Sequence, residues 1–397
     1  MIGSRSSPTA SLGKVAIVGA STSGLHAATL LAESGFEVCV YEASEEFNPR
    51  PRTLIVTSRL TDVLGYEPSE AIVNRVQHFD LFSPNASSRI TLRKPDLIVE
   101  RQRLMHLLAD RARQAGAQIV LGHRFVGFAD GSGRGNETVS LHFTDGAGGR
   151  DRVESANFVL GADGVHSRVS GDVTGTGSRS VALLQALVPL KPGADPLSVQ
   201  VWFDRNDTRF FYWLIPESSE RAAVGLIADD ATSARARLDD FLHTHDLEPI
   251  EYQSSAVGAH QFSSRYWASV DGTPVRLVGD AAGQVKMTTV GGLVTGLRGA
   301  CAAAEAIMSS ARGGRESRNL KQELDLHLVL RLLLDRFSND DYDVLLKLLN
   351  SDLKQLLETR NRDELNRSIW RLPFVQPRLI SLATRALLRR SGNSLSK

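Results

Sequence analysis

The chain has 397 residues, enough for two or three domains or one large composite unit. Its composition, 42% hydrophobic and 23% charged, is ordinary for a globular protein and excludes collagen-like, low-complexity and mostly disordered classes. Lys+Arg 46 against Asp+Glu 45 leaves a formal charge of +1, so no basic surplus exists to condense on nucleic acid.

Residues 1–13 read as a polar, disordered leader without the apolar core of a signal peptide. The run Lys14–Gly19 (KVAIVG) is a short buried strand, and the segment from Leu25 to Ser34 repeats Ala and Leu at helical spacing. Gly35 stops that helix, and Phe36–Tyr41 (FEVCVY) is a second buried strand ending at Glu42. A βαβ unit therefore opens the chain and points to an α/β fold, because a parallel strand pair needs such a crossover. Short strand-like pieces fill residues 50–95, and Arg101–Gly116 is an amphipathic helix. Strands follow at Gln118–Val120, Val139–Phe143 and Phe158–Leu160, with hairpin turns expected at Gly131–Gly135 and Gly146–Gly149. From Ser180 to about Tyr266 the pattern is mostly strand, which reads as an inserted sheet. Strand–turn–helix character returns over Val275–Met308, and the chain beyond Glu316 is nearly all helical in period.

No apolar run approaches the ~20 residues that span a bilayer. The two cysteines, Cys39 and Cys301, form no C-x-x-C pair, which fits a reducing, cytoplasmic setting. Residues 366–397 carry six Arg and one Lys with no acid, so this end is +7 and the remainder −6. Arg371, Arg378 and Arg385 fall seven apart beside Leu379, Ile380, Leu382, Leu387 and Leu388. That pattern suits either a helix resting on anionic lipid or a solvated, domain-packing helix whose basic end complements its own dipole.

Gly19-x-Ser21-x-x-Gly24 lies between the first strand and helix, with Glu42 closing the second strand 18 residues after Gly24. Gly19 permits the tight turn, Gly24 lets the helix approach the sheet, and the helix N-terminus offers N–H groups to a pyrophosphate. Glu42 is placed to accept from ribose hydroxyls, so the unit reads as a dinucleotide site in which Ser21 stands where a central glycine is usual. Two further strand-end turns follow: Gly161-Ala162-Asp163-Gly164, running on to His166-Ser167-Arg168, and Gly279-Asp280-Ala281-Ala282-Gly283. The second leads to Gly291-Gly292 and an Ala-rich helix.

Taken in this order, these motifs resemble the FAD-binding oxidoreductases related to the aromatic hydroxylases, with a glutathione-reductase-like fold. The run Gly279–Gly292 (GDAAGQVKMTTVGG), the segment Phe211–Pro216 (FYWLIP) and the tail FSNDDYDVLLKLLN look most like the geranylgeranyl reductase family. The resemblance spans roughly residues 14–380. It implies that Asp280 holds the FAD ribityl chain and that the Gly291-Gly292 turn aims N–H groups at the flavin N1/C2 edge. It also implies an arginine near the diphosphate, matched by Arg101, with Arg103 as the competitor. Asp163 is counted with these cofactor residues. Three departures stand out: Ser21 itself, Met287 where a proline is usual, and Pro51-Arg52-Thr53-Leu54, which lacks the cysteine that reductase members tend to carry.

The expected organisation is a discontinuous FAD-binding domain (14–60, 96–170, 270–315), a mostly antiparallel substrate sheet (61–95, 171–269) and a C-terminal helical region (316–397). Trp202, Phe203, Phe210, Phe211, Tyr212, Trp213, Tyr266 and Trp267 concentrate in the sheet and suggest an aromatic wall for an extended apolar or polycyclic ligand. Strand alternation puts Phe211 and Trp213 on one face and Tyr212 on the other, so Phe211 and Trp213 are the substrate-binding candidates. No nucleophile–base or metal constellation is visible: His243 and His245 read as a solvated pair, and Ser167 as a turn residue.

Three functions follow. One is an FAD-dependent reductase saturating carbon–carbon double bonds of a prenyl or other hydrophobic substrate. Another is a monooxygenase of the same architecture, acting on an aromatic or polycyclic natural product through a flavin C4a-hydroperoxide. The third is a flavin-binding protein without turnover. A halogenase is suggested by WLIP, but the first tryptophan of its W-x-W-x-I-P motif is Phe211 here. No separate NADPH fingerprint is seen, so NADPH binds transiently or another donor, such as a separate reductase, supplies the electrons.

Overall fold

The computed structural model describes residues 12–129, 138–145, 151–175, 179–309, 314–349, 353–354, 358 and 376–389. The two expected glycine-rich hairpin turns, the leader up to residue 11, Arg371 and residues 390–397 lie outside them.

The opening βαβ unit is built from Lys14–Val18, helix Thr22–Glu33 and Glu37–Tyr41. These strands are continuously apolar because both faces are covered. Val15, Ile17, Val38 and Val40 pack under helices, while Ala16, Val18, Cys39 and Tyr41 pack on the opposite side against Phe143, Leu320 and Leu324. The full sheet runs Trp267–Val270, Thr273–Leu277, Phe158–Gly161, Lys14–Val18, Glu37–Tyr41, Gln118–Val120. All its pairings are parallel except the edge pair Trp267–Val270 with Thr273–Leu277. A three-stranded antiparallel sheet, His123–Phe128, Val139–Asp145 and Asp151–Ala156, contributes Phe125, Leu141 and Phe143 to the second core.

The second large layer has eight strands in the order Glu251–Gly258, Ser180–Pro189, Arg221–Ala228, Tyr212–Pro216, Ser198–Trp202, Ile72–Ser83, Ala86–Glu100, Thr53–Val56. Its pairings are antiparallel except Ser198–Trp202 with Ile72–Ser83. Its outer edge is formed by two segments of the expected nucleotide layer, Thr53 pairing with Glu100 and Val56 with Leu97. Local alternation reveals a strand but not its partner, which is set by long-range register. One face of this sheet packs Tyr212, Leu214, Val224 and Leu226 against helix Ala231–Thr244 through Leu238 and Phe241.

The C-terminal region supplies helices Arg315–Leu334, Asn339–Lys347 and Arg378–Leu388. A reciprocal Ser338–Asp341 capping box opens the second. Leu382 and Ala386 seat the third against Phe337 and Tyr342. Among the described residues, no helix is long and apolar enough to cross a membrane.

Candidate functional site

Three strand ends meet at the carboxyl edge of the parallel sheet, where open α/β sheets hold ligands. The Gly19 amide donates to Tyr41 O (2.8 Å), Ala162 N to Val18 O (2.7 Å) and Val278 N to Gly161 O (3.0 Å). Gly19 turns out of its strand at φ +97°, and a Cβ there would stand 2.5 Å from Ala162 O. A Cβ at Gly24 would stand 2.5 Å from Gly19 O, so helix and turn touch backbone to backbone. Ser21 caps that helix by accepting from the Gly24 amide (3.2 Å), while the amides of Thr22 and Ser23 have no partner among the described residues. Glu42 bridges Ala20 N (2.9 Å) and Ser44 N (3.0 Å) beyond the second strand.

A cavity of about 670 Å³ opens at this edge, and Ser21, Arg101, Gly279, Asp280, Gly291, Gly292, Phe211 and Trp213 all line it. Gly19, Gly24, Glu42 and Asp163 do not. Gly19 and Gly24 lie beneath the turn as spacers. The Asp163 carboxylate accepts from Ser167 Oγ (2.5 Å), Arg168 N (2.8 Å) and Val169 N (3.2 Å), so it is spent on the start of helix Arg168–Thr174. Ser167 is the cap of that helix, accepting from Ser170 N.

Helix Arg101–Gln114 begins at Glu100, whose carboxylate accepts the amides of Gln102 and Arg103 (3.0 and 2.8 Å). That start turns Arg101 into the cavity and leaves Arg103 on the surface. A second cation, Arg52, lines the same region, and its buried Nε has no hydrogen-bond partner among the described residues. Burial, with Arg101 adjacent, pulls the Arg52 guanidinium down to about 10 against the pull of Asp280. Burial also lowers Arg101, opposed by Asp280 and Glu100. Asp280 is raised by burial, opposed by the Gly258 amide (3.3 Å) and by the two arginines. Two guanidinium groups against one carboxylate leave this end of the cavity cationic. Nothing in the local pattern of residues 50–54 distinguished Arg52 from a surface charge; its one signal was the apolar strand that follows it.

The loop after Asp280 is closed by Lys286 N donating to Gly291 O (3.1 Å). Val290, in the same turn, adopts φ +51°, a conformation costing of order 1–3 kcal/mol in a β-branched residue. Helix Leu293–Met308 starts at Gly292 without a side-chain cap, so its positive end faces the cavity.

The rest of the wall comes from one face of the eight-stranded sheet. Leu81, Ile90, Leu92, Val199, Val201, Ile215 and Ile227 line it, together with Phe79, Phe203, Phe211 and Trp213. Phe211 and Trp213 share the cavity face (6.1 Å between rings), while Tyr212 stacks on Phe241 (4.2 Å) behind the sheet. Of the expected aromatic wall, Phe203 joins Phe211 and Trp213 on the cavity, and the others do not. Trp202 stacks on Phe82 and packs on Phe241, Tyr266 belongs to the core of the other layer, and Trp267 is 47% exposed on an edge strand. His245 is not solvated: it stacks on Phe241 (4.0 Å) with Nδ1 at 2.9 Å from Phe241 O, and only His243 is exposed. Among the described residues, the titratable side chains on the wall are Arg52, Arg101, Asp280, Lys286, Arg331 and Tyr342. No nucleophile–base pair is among them, and no metal-holding cluster occurs among the described residues. Unpartnered amides, an unpartnered guanidinium nitrogen and an uncapped helix start together fit an anionic, extended coenzyme, and the aliphatic remainder fits an apolar ligand.

Comparison with known proteins agrees. Residues 13–323 match the family described as the FAD binding domain. Digeranylgeranylglycerophospholipid reductase 2 of Methanothermobacter thermautotrophicus is 30% identical over 363 residues, covering 84% of this chain and 90% of that protein. The geranylgeranyl diphosphate reductase of a Synechocystis species is 25% identical over 317 residues, 76% and 77% of the two chains. A solved geranylgeranyl bacteriochlorophyll reductase-like protein from Thermoplasma acidophilum superposes with a TM-score of 0.73 at 20% identity, over 93% of this chain and 99% of that one, and so shares the fold.

Proposed function

The chain belongs to the FAD-binding-domain flavoprotein family, related to the geranylgeranyl reductases, and from that premise we propose that it reduces carbon–carbon double bonds of a prenyl or other isoprenoid substrate. The carrying observation is the continuity of one cavity. Its charged, amide-rich end passes directly into a wall of aliphatic side chains such as Leu81, Ile90, Leu92, Val199 and Val201, suited to a long unsaturated hydrocarbon.

In this reading the Thr22 and Ser23 amides and the Arg52 and Arg101 guanidiniums would hold the FAD diphosphate, with Asp280 at the ribityl chain and Glu42 at the adenosine ribose. When bound, the flavin supplies the hydride. The amides opening helix Leu293–Met308 would face the edge on which negative charge accumulates, and the uncapped start strengthens that field. Phe211 and Trp213 would orient the chain of the substrate, and the aliphatic wall would keep water from the reacting centre. NADPH or another reductant, including a separate reductase, would recharge the coenzyme. Peripheral contact with lipid belongs to the same reading.

The test is anaerobic reduction of FAD-loaded protein followed by mixing with a detergent-dispersed isoprenoid phospholipid. The expected product gains two hydrogens per double bond by mass. A product that gains oxygen on admission of air, or reduced flavin that no substrate reoxidises, overturns the reductase reading in favour of monooxygenation or of binding without turnover.

A further inference from the structure

A helix that helps wall the cavity and a second helix packed beside it present apolar side chains on their outer surfaces. On Arg315–Leu334, Arg331 and Leu334 line the cavity, while Val329 and Leu332 are 52% and 51% exposed. On Arg378–Leu388, Leu382 and Ala386 face inward, while Ile380, Leu387 and Leu388 are 53%, 56% and 79% exposed. The spacing, i, i+3 on one helix and i, i+7, i+8 on the other, makes each set a stripe. Arg336 joins the two by donating from Nη1 to Leu387 O (2.9 Å). Separate exposed leucines are ordinary on a protein surface, but adjoining stripes mark a docking face.

The charge around this face identifies its partner. Arg336 and Arg378 are exposed, and Arg385 reaches the fully buried Asp341 only at 3.9 Å. Arg389 is turned inward onto that carboxylate. The exposed aspect of the helix is therefore less basic than its sequence, and leucines stand between the cations. The wider stretch 366–397 is nevertheless +7 while the other residues sum to −6, so a negatively charged surface attracts this end and repels the rest, orienting the molecule. A second copy apposed through the same face would set two such basic ends against each other, which disfavours self-association there.

We propose that the Val329–Leu332 and Ile380–Leu387–Leu388 stripes form one face that docks on an anionic lipid bilayer and brings the cavity to its hydrophobic substrate. The proposal deepens the isoprenoid reading and rests on it for the identity of the cargo. A helix of 11 residues, packed on the protein through one side and apolar on its exposed side, lies in the headgroup boundary rather than crossing it. Such a surface spares an isoprenoid the transfer through water that its hydrocarbon opposes.

The experiment is flotation of the full, FAD-loaded chain with vesicles of phosphatidylcholine alone or mixed with phosphatidylglycerol. The chain should float with the mixed vesicles, less at high salt, and little with the neutral ones. The double substitution Leu387→Asp and Leu388→Asp should lower that partitioning at least about tenfold, with the flavin spectrum and turnover of detergent-dispersed substrate unchanged. Arg378→Glu, which leaves the stripes intact, should weaken flotation with the mixed vesicles and serves if the double variant does not fold. Failure to float, indifference to lipid charge, flotation unaffected by these substitutions, or a dimer by light scattering that the leucine changes dissociate would overturn the docking face. Loss of the parent protein's activity in detergent would instead overturn the reductase reading and leave the flotation result standing.

Discussion

Gly24→Ala tests the nucleotide turn. The added Cβ would lie 2.5 Å from Gly19 O and 2.9 Å from Ala162 Cβ. Both are stiff neighbours, and ordinary contact begins near 3.4 Å, so helix Thr22–Glu33 must withdraw by about 0.9 Å at its first turn. Overpacking of this kind costs about 1–3 kcal/mol. The Thr22 and Ser23 amides withdraw with the helix, and losing one hydrogen bond to a charged group costs about 1.5–3 kcal/mol, or roughly ten- to 150-fold in affinity. The control is Gly171→Ala in helix Arg168–Thr174, where an added Cβ meets nothing within 4 Å. That change should stabilise by about 0.5–1 kcal/mol through helix propensity. Thermal unfolding and FAD titration of the two variants should therefore move in opposite directions from the parent in stability, with flavin affinity lost only in Gly24→Ala. Equal melting temperatures and equal FAD affinities would refute the argument from close approach.

His26 is buried beside Cys301 Sγ (3.3 Å from Nε2), and burial, reinforced by Arg111, pulls it down to about 4. The unfolded chain takes up this proton near 6.5 and the folded chain only near 4, so stability is full above 6.5 and falls as pH drops between those values. At about 1.4 kcal/mol per pH unit the loss attributable to His26 approaches about 3 kcal/mol. Urea unfolding at pH 7 and pH 4.5 should show His26→Asn with a shallower slope than the parent, and identical slopes would disprove the assignment. Trp213 has a buried indole N–H without a partner among the described residues. Trp213→Phe removes that unsatisfied donor, so stability should change by less than about 1 kcal/mol while KM rises, and a KM equal to the parent's would remove Trp213 from the substrate wall.

Features carried by neighbouring residues were legible from the chain alone. The turn from Gly19 to Gly24 and the one at Gly279-Asp280 are written within a few positions, and the alternation of Phe211, Tyr212 and Trp213 assigned their faces. Arg52 was not legible, because its role comes from Arg101 and Asp280, which arrive from distant parts of the chain. The same holds for the wall. Leu81, Ile90, Val199 and Ile215 look like ordinary strand residues, and only the register of four different strands sets them on one surface. The aromatic residues attracted notice by size, yet Trp202 and Tyr266 pack elsewhere, since clustering in sequence does not decide which side of a sheet a ring takes.

The serine that opens the first helix has a consequence for the life of the protein between encounters with its coenzyme. Because Ser21 already engages the Gly24 amide, a phosphate has only the Thr22 and Ser23 amides left to satisfy at the helix start. The turn itself should therefore be held in the colourless polypeptide, ready for the prosthetic group.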